Sequence, residues 1–176
     1  MTSINEMLQE LDLETGTTRR VLERVDGEQL SWRPHPRSLT LGQLAMHVAT
    51  LPGAIADIST RYAFDVGAPI PRPSPANTAE LLATLDSSIV RARSILGAMT
   101  DDALDTPWRM MLGGREVGAI PRGVFLRSVM FNHWYHHRGQ LCVYLRQTGA
   151  AVPAVFGPSA DETPQLQSDQ HGGKDA

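Results

Sequence analysis

The chain has 176 residues, a formal charge of −3, a pI near 6.0, 41% apolar residues and 20% charged ones, the make-up of an ordinary globular domain rather than a disordered or membrane protein. Its arginines are scattered, so neither nucleic acid nor an anionic membrane surface has an electrostatic footprint to meet. No apolar run approaches the roughly 18 residues of a membrane span.

A single cysteine, Cys142, excludes an internal disulfide. The start MTSINEMLQELDLETG is acidic and lacks the basic and apolar regions of a secretory signal. Both features predict a cytoplasmic protein. A chain of this length can bury a real core unaided, so any metal it carries is expected to be functional rather than a structural staple.

From Ser3 to about Val25 the apolar positions recur at the helical period, interrupted by Gly16, and predict a first helix. The stretch DGEQLSWRPHPRS, with Pro34 and Pro36, must leave it as a loop anchored by Trp32. Thr40 and Gln43 then form a capping box, flanked by Leu39 and Leu44 as a hydrophobic staple. The second helix is expected to run from there to about Tyr62, with Pro52 removing one internal hydrogen bond.

The run GAPIPRPSPAN, with Pro69, Pro71, Pro73 and Pro75, is a stiff loop. Asn77 or Thr78 caps a third helix over Ala79 to Met99. Thr106 to Ile120, with Gly113–Gly114 between apolar residues, predicts a short hairpin or an irregular crossover. A fourth helix is expected from Arg122 to about Gln147, led by Pro121 and stopped by Gly149.

The polar, Gly- and Pro-rich residues from Gly157 on predict a disordered tail over 157–176, leaving one domain over 1–156. The expected class is all-α, a four-helix bundle with a possible small hairpin or irregular insertion before the last helix.

The chemistry-bearing stretch is FNHWYHHRGQL, Phe131 to Leu141. At about 100° per residue, His133 and His137 lie within about 40° of each other on the face of Leu126, Met130, Leu141 and Tyr144, while His136 falls outside it. Two imidazoles at i and i+4 can reach one ion. His47 sits in the middle of the second helix's apolar stripe, among Leu44, Leu51, Ile55 and Ile58. Three imidazoles buried among aliphatics need partners for their nitrogens, and one ion satisfies all three.

The other polar residues of these helices read differently. His35 and His171 are expected to be solvated. Cys142 points about 180° from His133. Arg138 is expected to pair with a carboxylate of a neighbouring helix, and Gln140 to hydrogen-bond a ligand histidine or stand at the rim. Trp32, Trp108 and Trp134 read as packing residues.

Trp32–Arg33–Pro34, LGQLAMHVA containing His47, and NHWYHHRGQL containing His133 and His137 stand in an order and spacing that resemble the DinB/YfiT-like family over about residues 3 to 150. The resemblance implies an up-down four-helix bundle with a long crossover, commonly dimeric. It also implies a divalent ion such as zinc, nickel or iron, held by the residues that correspond to His47, His133 and His137. Thiol-dependent transferases and isomerases are among the activities it implies for a small-molecule substrate.

Three neutral ligands leave an open position for chemistry. The residue after His133 is Trp134 rather than Glu, so the general base of an HExxH protease is missing. No other residue is marked as catalytic. The expected function is therefore a metal-dependent enzyme activating a thiol cosubstrate, ahead of one activating water. The alternative is a non-catalytic metal-binding stress-response or interaction module.

Overall fold

A computed structural model describes residues 3–163. Helix α1 spans Ile4–Leu22, and its N-terminus is closed by a Ser3/Glu6 capping box. A short 3₁₀ turn at Gly27–Gln29 follows, and the loop then delivers the Trp32 and Leu30 carbonyls to the backbone N–H groups of Leu41 and Gly42, at 2.7 and 3.0 Å. Two of the orphan donors at the start of α2 (Leu41–Ser59) are thus satisfied by the loop, and the Thr40/Gln43 box satisfies others as expected. Pro52 lies inside α2 without ending it.

Helix α3 (Thr78–Gly97) is capped by Asn77, and a short α4 (Asp101–Asp105) follows it. The segment from Arg122 to Gln147 is helical throughout but not uniform. It begins as α5 (Arg122–Phe125), passes through a π-helical stretch over Leu126–Asn132 and continues as α6 (His133–Gln147). Helix α3 packs along both α1 and α2, α6 packs on α2 and more lightly on α1, and α1 touches α2 only lightly. Leu11, Leu22, Leu44, Leu85, Phe131 and Trp134 are among the side chains closed off between them.

The chain is mostly helical but not all-α, which corrects the expectation. A three-stranded sheet lies in the order β1 (Ala63–Asp65), β2 (Pro107–Leu112), β3 (Arg115–Pro121). The β2–β3 hairpin sits where the sequence placed it, and Gly113 and Gly114, at φ 56° and 80°, form the tight turn that only positive φ allows. Strand β1 pairs in parallel with β2, Phe64 opposite Met110. It was not foreseen, because three residues between a helix end and a proline loop carry no period of their own.

Residues 66–77, the proline loop, fold back onto the start of α2. The Arg72 carbonyl accepts from Gln43 Nε2 at 3.2 Å, and a Cβ on Gly42 would press on Ser74 Oγ and lie 3.1 Å from the Leu30 carbonyl oxygen. That close approach is why glycine suits position 42.

The tail expected from Gly157 is in part held down. Glu162 pairs with Arg20 and accepts from the Ala154 N–H, while Asp161 pairs with Arg146 and accepts from the Val152 N–H. His171 and the rest of the tail from 164 on lie outside the described residues.

Candidate metal centre

The site lies where α2 meets α6. Its two halves are joined by a hydrogen bond that begins with a defect in the helix. Pro52 has no N–H, so the Val48 carbonyl one turn earlier loses its helical partner. The Trp134 indole Nε1 donates to that carbonyl at 2.9 Å. Trp134, fully buried and adjacent to His133, thereby ties the histidine-bearing end of α6 to α2 one residue beyond His47.

On the other side of the same turn, the Gly53 N–H donates to Ser88 Oγ at 2.9 Å, and a Cβ on Gly53 would lie 2.7 Å from the Ser88 carbonyl. Proline and glycine at 52 and 53 therefore let α2 carry partners on both flanks.

His47, His133 and His137 converge so that one ligand nitrogen from each lies within 4.8 Å of the others. Their ring centroids are 5.2 Å apart for His47 and His133, 4.6 Å for His47 and His137, and 4.5 Å for His133 and His137. His137 Nδ1 donates to Gln140 Oε1 at 2.7 Å, which turns its Nε2 toward the Nε2 of His133. The two Nε2 atoms then face each other at 2.7 Å.

With its Nδ1 donating to Gln140, His137 turns the Nε2 lone pair toward His133. A cation between the two Nε2 atoms can take the place of the single proton they share, with the outer Gln140 bond kept, so the donor set fits a divalent ion.

The electrostatics favour the same protonation state. Burial first, and then the neighbouring His137, His133 and Arg72, push His47 down to about 4. Burial is also the leading cause that lowers His133 and His137. All three are thus held neutral near pH 7, the form that ligates metal.

Two cavities open on this triad. A cleft of about 240 Å³ is lined by all three histidines with Gln43, Thr50 and Arg72. A chamber of about 630 Å³ lies beyond His47 and His133, beneath the proline loop and the sheet. No Asp or Glu lines either cavity.

The other sequence-marked residues are placed as follows. His136 is exposed and outside the triad, and Gln140 orients His137. Arg138 pairs with Glu14 of α1. Asp57 pairs with Arg61 and Arg91, away from the cavities. Cys142 is half-buried on the far side of α6. His35 is exposed in its loop, its Nδ1 accepting from the Arg37 N–H.

Three participants went unmarked. Arg72 sits in a loop read only for its prolines. Val129 lies within the π-helical stretch and faces the chamber beside His133. Trp134 was read as packing alone, although Pro52 four residues after Val48 was the signal that a carbonyl there needed a donor.

The sequence profile of the DinB family matches residues 1–169. The chain is 28% identical over 167 residues to the uncharacterized protein YrdA of Bacillus subtilis, covering 91% of this chain and 92% of YrdA. Among solved structures it is similar to a DinB-like protein from Bacillus cereus, with 29% identity and a TM-score of 0.68, covering 87% of this chain and 97% of that one. A second DinB-like protein, from Bacillus subtilis, shares the fold at 20% identity and a TM-score of 0.58, with 78% of this chain and 87% of that one covered. By the extent of the family match and the agreement of the fold, this chain belongs to the DinB family.

Proposed function

We propose that this protein is a metal-dependent enzyme that uses a small thiol as cosubstrate and transfers it to an electrophilic small molecule, with His47, His133 and His137 holding a divalent ion such as zinc, nickel or iron. The observation that carries the reading is the pair of facing Nε2 atoms at 2.7 Å, with His137 fixed from behind by Gln140 and His47 completing the set. Bound there, a divalent ion supplies Lewis acidity that lowers the pKa of a thiol or water toward neutrality.

The chain's own residues do the rest. Gln140 orients the His137 ring, and the Trp134–Val48 bond keeps the two helices in register. Arg72 lines the cleft and makes no ion pair among the described residues, which suits a thiol that also bears a carboxylate.

In the transfer the thiol gives its proton to solvent, sulfur forms the new bond to carbon, and the displaced electron pair leaves with the departing group. Water is the weaker nucleophile candidate, because neither cavity offers a carboxylate to act as its general base.

The same reading takes the four long helices as an up-down four-helix bundle in which residues 23–40 form the long crossover. It takes the chain as a cytoplasmic homodimer with its domain over 1–156. No helix among the described residues is long and apolar enough to cross a membrane.

The test is turnover by ion-loaded protein with carboxylate-bearing thiols, such as glutathione and cysteine, against a panel of alkyl and aryl electrophiles. The expected result is thiol-dependent product formation that falls at least a hundredfold in the His47→Ala variant. Product formation that proceeds equally without thiol transfers the reading to a hydrolase. Ion binding without turnover on any substrate leaves the non-catalytic metal-binding module.

A further inference from the structure

The chamber of about 630 Å³ behind His47 and His133 is far larger than the voids of a packed core and falls in the size range of small-molecule sites. Its walls come from four elements, one of them the last helical segment with Phe125 and Val129. Ala54, Ile55 and Ile58 of α2 form the floor, Phe64 and Met110 of the sheet one wall, and the proline loop the roof.

No charged side chain lines it, and the neutral polar groups on its surface are already committed. Thr50 Oγ1 donates to the Met46 and His47 carbonyls at 2.9 and 3.2 Å, and Trp108 Nε1 donates to the Ile58 carbonyl at 3.2 Å. Pro69 and Pro71 of the roof have no N–H to offer. Among its side chains, only the imidazoles at its mouth and the Thr50 oxygen, as an acceptor, can engage a polar atom. An ionised group deeper in the chamber would lose its hydration with nothing in exchange.

We propose that this chamber binds an uncharged, predominantly apolar small molecule, with its one polar or reactive end at His47 and His133 and its hydrocarbon body under the proline loop. As a statement about the substrate it rests on the enzymatic reading above. As a statement about binding it stands on the lining alone. The two cavities then divide the work: the Arg72 cleft takes the charged partner and the chamber takes the neutral one, and they adjoin at His47, His133, Thr50 and the loop residues Ile70, Pro71 and Pro73.

The test uses the full-length protein, with and without added zinc, and the neutral fluorophore N-phenyl-1-naphthylamine. Saturable fluorescence enhancement is expected at one site per chain. 1-Methylnaphthalene should displace the probe at concentrations at least tenfold lower than 1-naphthoate, which has a similar size but carries a charge. Ala54, exposed toward the chamber, gives the blocking variant: Ala54→Trp should weaken the probe at least tenfold with the melting temperature unchanged.

No saturable binding, equal displacement by 1-naphthoate, or full affinity in a folded Ala54→Trp variant each overturns the proposal. The displacement pair needs no variant, so it decides even if Ala54→Trp fails to fold. Probe binding in this pattern by protein that takes up no zinc would sink the metal reading and leave the chamber standing. Zinc uptake without probe binding would do the reverse.

Discussion

The last helix buries polar side chains on two sides, and the two sides settle them in opposite ways. Toward α1, Arg138 meets Glu14 at 2.5 Å and Thr18 at 3.2 Å, and one turn before α6 Arg127 meets Glu10, which also accepts from the Tyr135 hydroxyl. Both Arg138 contacts come from its Nη1; the buried Nη2 has no hydrogen-bond partner, but the guanidinium lies over the Tyr135 and Phe156 rings. Charge there is balanced within the protein. Toward α2, three imidazoles converge with no carboxylate among them. A face whose charges are met internally holds the fold together, whereas a face of three converging imidazoles with no counter-charge is built for something not in the chain.

The largest way to test this contrast is to break the balanced side. Arg138 is 1% exposed, so Glu14→Ala leaves a buried charge unpaired and should cost about 3–5 kcal/mol in denaturant unfolding. Replacing both partners, as Glu14→Leu with Arg138→Met, should recover most of that. A single substitution that costs no more than a surface pair would remove the contrast.

The triad should behave the other way. His47→Ala should cost little in metal-free protein, because it removes a group that burial disfavours in its charged form. It should abolish the stabilisation that zinc gives the wild type, about 2.7 kcal/mol at a hundredfold excess over Kd. Thermal melts with and without zinc measure both arms.

A smaller effect belongs to the joint between the helices. Trp134→Phe strands the Val48 carbonyl and should cost about 1–3 kcal/mol, beyond whatever packing it loses, and should weaken zinc binding. Pro52→Ala restores an N–H to that carbonyl, so the double variant should be more stable than the sum of the two single changes predicts. Simple additivity would mean that the indole contributes packing alone.

The two sides should also separate on the pH axis. The histidines are lowered from an ordinary value of 6.5, His47 to about 4. Between those values the unfolded chain binds more protons than the folded one. Metal-free stability should therefore be flat above pH 7 and fall as the pH drops from about 6.5 toward 4.

Glu10 is lowered from 4.5, chiefly by its hydrogen bond to Arg127. Its contribution is intact above that value and is lost only as the pH falls below it. Two successive losses of stability are expected, and His47→Ala should shrink only the first.

The parts of this architecture that were legible from sequence are those with short-range causes. The Thr40/Gln43 box, the Asn77 cap and the Gly113–Gly114 turn each arise from residues within a few positions of one another. Helical phase alone separated His133 and His137 from His136 and placed His47 on an inward face.

What escaped depends on pairings across the chain. Strand β1 exists only because Met110 lies beside Phe64, and the role of Trp134 depends on a proline in another helix. The π-helical stretch carries no proline or glycine to announce it, yet it sets how Val129 faces His133. The chamber needed α2, the loop and the sheet together before it could be seen.

The most direct measurement of the central claim is zinc stoichiometry on protein purified without a histidine tag, by elemental analysis and calorimetric titration, for wild type and four single variants. One ion per chain is expected in wild type and in His136→Ala, and none at micromolar zinc in His47→Ala, His133→Ala or His137→Ala. No uptake by the folded wild type, or uptake that His47→Ala leaves unchanged, would contradict it.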